Sequence, residues 1–159
     1  MIRTFFCIIL FQLFIVIGYA QIKGKVVKIS DGDTFTVLTA SNETVKVRLH
    51  GIDCPEKSQD FGQVAKQHLS NLIFNRQVKI IKKNVDRYGR VVGVVFADTI
   101  NVNEHLLSSG LAWHFKKYDT NPVWAKLETN AKSKRLGLWS MSNSVPPWMF
   151  RKNKTKSIK

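Results

Sequence analysis

The stretch "IKGKVVKISDGDTFTVLTASNETVKVRLHGI", residues 22–52, decides the fold. Its first two β-rich runs, "IKGKVVKI" and "TFTVL", flank "SDGD", where the Asp-Gly pair signals a turn. "SNE" makes a second turn, and "TVKVRLHGI" follows as a third strand. Within it Val45, Val47 and Leu49 alternate with Lys46, Arg48 and His50. If the apolar set faces a core, Arg48 points to the other side of the sheet. Three linked antiparallel strands are therefore expected at the start of the folded region.

Beyond Pro55 the period lengthens. Phe61, Val64, Ala65, His68, Leu69, Leu72 and Ile73 fall on one stripe at helical spacing. "QVKIIKKN" and "GRVVGVVFAD" read as two more strands. In "NVNEHLLSSG", Asn101 stands three residues before Glu104, as in a capping box, and Gly110 supplies a stop. A last helix opens with Asn121 as cap and Pro122 as first residue, and runs to about Arg135. The order β-β-β-α-β-β-α-α predicts an α+β fold, a five-stranded Greek-key barrel of the OB type with three helices.

Residues 1–20, "MIRTFFCIILFQLFIVIGYA", have a basic start, an apolar run from Phe5 to Ile17 and a small-residue end. The run falls short of the roughly 20 apolar residues that span a bilayer, so a signal peptide cleaved after Ala20 is expected, not a membrane anchor. This implies export, to the medium or a periplasm, with no stable membrane insertion afterwards. Residues 21–140 form the expected folded domain, a monomer. Residues 141–159, with two prolines followed by basic residues, read as a flexible tail. Without residues 1–20 the chain keeps 24 Lys+Arg against 11 Asp+Glu, a net charge of +13, which attracts polyanions such as nucleic acid. It also keeps a single cysteine, Cys54, so an intramolecular disulfide is excluded and stability must come from packing.

Three segments carry candidate chemistry: "DGDT" at 31–34, "RLHGIDCPE" at 48–56 and "DRYGR" at 86–90. Singly they are a turn, a loop before a helix and a basic hairpin. Together they hold what phosphodiester hydrolysis needs. Arginine's planar fork meets the negative charge that builds on phosphorus, carboxylates hold a hard cation, and a further carboxylate can act as base. The four histidines show no paired metal spacing, which disfavours zinc or histidine-based catalysis. Trp113, Trp124, Trp139 and Trp148 could stack on bases, while Trp124 and Trp139 read rather as core or helix-packing anchors.

These segments, with "VNEHLLSSGLA" and "GLWS" in the same order, resemble the staphylococcal nuclease family over residues 23 to 140. The family comprises calcium-dependent, sugar-non-specific nucleases with an OB-fold. The resemblance implies calcium bound by the carboxylates of Asp33 and Asp53 and by the backbone carbonyl of Cys54, where the family carries threonine. It assigns Arg48 to the scissile phosphate, Glu56 to the general base and Arg90 to the transition state. Arg87 and Tyr88 align with a Lys-Tyr pair beside the bound nucleotide, and Tyr118 with one of two tyrosines near the base; the other falls on Lys116. The loop after Glu56 is shorter than the lysine-rich loop of the best-known member. The implied activity is cleavage of DNA and RNA to 3′-phosphate ends. Two other readings compete: an OB-fold module that binds nucleic acid without cutting it, and a cationic protein that binds the cell envelope by charge alone.

Overall fold

The computed structural model describes residues 21–156, so the expected signal peptide lies outside the described residues. The opening stretch forms β1 (Gln21–Ile29), β2 (Thr34–Thr39) and β3 (Thr44–Leu49), an antiparallel meander. Next come the two-residue β4 (Ile52–Asp53), helix α1 (Gly62–Ile73), β5 (Gln77–Val85), β6 (Val91–Ala97) and the short β7 (Ile100–Asn101). Helix α2 (Val102–Ser108), β8 (Trp113–His114), α3 (Pro122–Ser133), a 3₁₀ turn at Gly137–Ser140 and α4 (Pro147–Lys156) complete the described chain.

The main sheet runs β3-β2-β1-β5-β6-β7, and a parallel pairing of β3 with β6 closes the five long strands into the expected OB-type barrel. Alternation places Val26, Phe35, Val37, Val47, Leu49, Ile80 and Val95 inside, each at most 1% exposed. Ala65, Leu69 and Ile73 of α1 and Leu106 and Leu107 of α2 cover the barrel. Each large apolar side chain so buried stabilises the fold by roughly 2 kcal/mol.

The helix signals work as residue chemistry says they should. Asn101 accepts hydrogen bonds from the backbone N–H of Asn103 and Glu104, and Asn121 accepts one from Val123 with Pro122 behind it. Glu104 does not complete a capping box: its carboxylate instead accepts the Trp124 indole N–H at 3.0 Å, tying α2 to α3. Gly110 stops α2 at φ +67°, where an added Cβ would lie 2.3 Å from the Leu136 carbonyl oxygen.

Three details differ from expectation. Val64, placed on the apolar stripe, is 52% exposed, because the buried face of α1 centres on Gly62, Ala65, Leu69 and Ile73 and Val64 lies well round the helix from it. Short strands β4 and β8 pair with each other and pin the segment after β3. The described residues contain four α-helices, not three: the stretch expected as a flexible tail contains α4. Pro147 opens that helix, and Trp148 stacks on Phe115 at 4.8 Å between ring centroids while meeting Trp113 edge-on. Aromatic burial supplies an anchor that a basic composition conceals.

Candidate active site

Strand register assembles the site. Pairing of Thr34 with Arg48 across β2 and β3 sets the DGDT turn beside the arginine, and the Leu49 N–H donates to the Asp33 carbonyl at 2.9 Å. Parallel pairing of Arg48 with Val92 brings the β5–β6 hairpin, and with it Arg90, to the same end of the barrel. Asp53 sits in β4, held opposite Trp113 of β8. Glu56 follows on the loop before α1. The start of that helix approaches so closely that a Cβ on Gly62 would stand 1.8 Å from the Glu56 carbonyl oxygen.

An open cleft of about 740 Å³ results, lined by all nine residues singled out from the sequence. Asp33 and Asp53 are buried at 7% and 1% exposure, and both accept from one Arg48 nitrogen, Nη2, at 3.3 and 2.8 Å. The Cys54 backbone N–H donates to Asp33 Oδ2 at 3.2 Å, and the Thr34 hydroxyl donates to Asp33 Oδ1 at 2.9 Å. On the facing hairpin, Asp86 accepts from Arg90 Nε at 2.7 Å and from the backbone N–H of Tyr88 and Arg90. Arg90 Nη1 also reaches the Thr34 hydroxyl at 3.4 Å. Arg87 stacks over the Tyr88 ring and donates to its hydroxyl, while Tyr118 lies edge-on to Phe115. Tyr88 and Tyr118 are 67% and 59% exposed, two aromatic faces open at the rim.

The acids crowd one another. Burial, and then the charge of Asp33, raises the Asp53 carboxyl above its usual range even against its guanidinium partners. Burial and Asp33 likewise push Asp31 up to about 6. Burial works against the charge of Arg48, but Asp33 and Asp53 outweigh it, and the guanidinium holds its proton more firmly than usual. On the hairpin, burial is outweighed by hydrogen bonds from Arg90 and Tyr88, which hold Asp86 below the ordinary carboxylate range.

Asp33 and Asp53, converging on one arginine nitrogen, are hard oxygen donors of the kind calcium takes, with a backbone carbonyl and water able to fill further positions. Among the described residues no group of three or more His, Cys, Asp and Glu side chains is arranged to hold a metal ion. The two carboxylates supply hard oxygen donors of the kind an oxygen-ligated cation takes.

Sequence reasoning missed three participants. Asp86 braces Arg90, a local pairing that the "DRYGR" spacing could have suggested. Phe115 floors the rim beneath Tyr118. Arg151 of α4 enters from the far end of the chain: Nη2 lies 2.7 Å from Asp53 Oδ2 and Nη1 lies 2.6 Å from Glu56 Oε1. Nothing in the local sequence around Arg151 announces that contact.

Residues 46–141 match the family described as Staphylococcal nuclease homologue. An "Uncharacterized endonuclease" of Haemophilus influenzae is 44% identical over 128 residues, covering 80% of this chain and 72% of that protein. A second "Uncharacterized endonuclease", from Escherichia coli, is 40% identical over 85% of this chain and 88% of its own. The "Micrococcal nuclease" of Shigella flexneri is 40% identical over 85% of this chain and 83% of its own.

Proposed function

The chain belongs to the staphylococcal nuclease family, hydrolases of phosphodiester bonds, and on that premise we propose an exported, calcium-dependent nuclease that cuts DNA and RNA without regard to the sugar and leaves 3′-phosphate ends. The observation that carries this reading is the meeting, in one cleft, of Asp33, Asp53 and Glu56 with Arg48 and Arg90. A module that had only to bind nucleic acid has no need of three carboxylates at the centre of a basic protein, since they repel the phosphate backbone.

Asp33, Asp53 and the Cys54 carbonyl would hold calcium, which when bound supplies positive charge at a phosphate oxygen and makes a bound water more acidic. Arg48 is held between the two aspartates, so its fork is oriented before substrate arrives. Arg90, fixed by Asp86 and Thr34, approaches from the hairpin, and the two guanidiniums stabilise charge developing on the phosphoryl oxygens. Glu56, 39% exposed in its side chain, faces the cleft where it can take a proton from attacking water. Tyr88 and Tyr118 offer stacking surfaces to flanking nucleotides, which a base of any identity can use.

Purified residues 21–159, incubated with single-stranded DNA and with RNA, should produce fragments of both in calcium and of neither in a chelator. Arg48→Ala and Arg90→Ala should each lower turnover by roughly 100-fold or more while leaving the far-ultraviolet circular dichroism unchanged. Binding without fragments would favour the module. Binding with a steep salt dependence, indifferent to calcium and to Glu56→Gln, would favour the envelope-binding protein. Export is checked by the mass of protein recovered outside the cytoplasm, which should begin at Gln21.

A further inference from the structure

Arg151 lies outside residues 46–141, the part of the chain that matches the family, yet its guanidinium touches two of the acids at the centre of the cleft. Helix α4 carries it there. Trp148, three residues earlier and so on the same helical face, is stacked nearly parallel on Phe115, with 5° between the rings. Phe115 itself lines the cleft. The helix is thus fastened to the wall of the site by an aromatic pair one turn from the arginine.

Two features describe what the guanidinium can do. First, it shares Asp53 with Arg48: Arg48 Nη2 reaches Asp53 Oδ1 at 2.8 Å, and Arg151 reaches Oδ1 at 3.4 Å and Oδ2 at 2.7 Å. Resting on Asp53 is therefore how a phosphate-facing arginine is held in this site. Second, its side chain is 44% exposed against 16% for Arg48, and the residue lines the cleft. Its Nε–H and one Nη2–H make no hydrogen bond among the described residues, leaving two donors in the fixed fork that suits a phosphodiester.

We propose that Arg151 is a third substrate-contacting guanidinium, delivered by α4 to the phosphate backbone beside Asp53 and Glu56. The assignment rests on the nuclease reading. Equilibrium binding of a fluorescein-labelled single-stranded oligonucleotide, in calcium, in the Arg90→Ala background and within a time too short for its slowed cleavage, tests it directly. Adding Arg151→Ala should weaken binding about tenfold, the loss of charge-assisted hydrogen bonds. It should also reduce the slope of log affinity against log salt by about 0.7, one phosphate contact on a single strand. Arg151→Lys should restore the slope but only part of the affinity, because the charge returns without the fork. In the otherwise unaltered enzyme, Arg151→Ala should lower kcat/KM about tenfold, chiefly through KM.

An unchanged salt slope overturns the assignment. So does faster cleavage by Arg151→Ala accompanied by tighter calcium binding in calorimetry, which would make Arg151 a plug competing for Asp53. Failure of the unaltered protein to cut in calcium would sink the nuclease reading instead, and the binding measurements would still decide for or against Arg151.

Discussion

The resemblance sets Cys54 where the family carries threonine, and the surroundings of the thiol show how the fold accommodates it. The residue is 4% exposed, its thiol donates to the Gly32 carbonyl at 3.2 Å, and its own N–H holds Asp33. Gly32 is required opposite it: a Cβ there would lie 2.8 Å from the Cys54 Cβ and 2.9 Å from that of Ala65. Burial first, then the charges of Asp33 and Asp53, pushes the thiol well above its usual range, so it stays protonated at neutral pH. A thiol reagent should leave the folded protein unlabelled over hours and titrate one sulfhydryl in residues 21–159 after denaturation. Cys54→Thr should cost about 1 kcal/mol in urea unfolding and keep most of the activity, since a hydroxyl can make the same bond to Gly32. Rapid labelling of the native protein would show instead that the thiol is reachable and chemically available.

At the scale of elements, the site is a product of strand register, which is why so much of it was legible. Alternation in β3 fixes the side on which Arg48 emerges, and the turn chemistry of DGDT and DRYGR places Asp33 and Arg90 at the strand ends beside it. Arg151 and Asn103 were not legible, because Arg151 acts on acids 95 and 98 residues away and Asn103 acts through the His50 carbonyl 53 residues away. Asn103 is completely buried in α2. It accepts from the Val95 N–H at 3.0 Å and donates to the His50 carbonyl at 2.9 Å, clamping β6 to the turn that follows Arg48. In the sequence it is merely a polar residue in the first turn of a helix. Asn103→Ala would orphan both backbone groups in a dry interior, and should lower the unfolding free energy by about 2–4 kcal/mol. Urea denaturation measures this directly, and a loss below half a kilocalorie would mean that water or a backbone shift replaces the clamp.

For the molecule as a whole, one contribution to acid stability comes from a carboxylate that joins several elements away from the catalytic acids. Asp119 pairs with His114 Nε2 at 3.0 Å, faces His50 Nε2 at 3.4 Å and accepts the Asn121 N–H at 2.9 Å, linking β8, the turn after β3 and the approach to α3. Burial raises its carboxyl, but the Asn121 N–H and the two histidines outweigh this and hold it below the usual range. A depressed carboxylate contributes stability that is full above the unfolded value, about pH 4, and is lost as pH falls through the lower folded value. His50 acts at higher pH. Burial lowers it more than Asp119 raises it, with Lys83 and Arg48 adding to the depression. The folded state therefore resists protonation, and stability begins to fall once pH drops below the unfolded histidine value of about 6.5. Asp31 and Asp53, raised above the ordinary carboxylate range, act the other way as pH falls from about 6 to 4 and offset the histidine effect, so the clear decline in melting temperature should come below pH 4. Asp119→Asn should melt lower than the unaltered protein at pH 7, and the gap should close below pH 4 as the aspartate loses its charge. Melting curves from pH 8 to 2.5 decide the matter: a gap that stays constant to the acid end would show that Asp119 acts by shape and hydrogen bonding, not by charge.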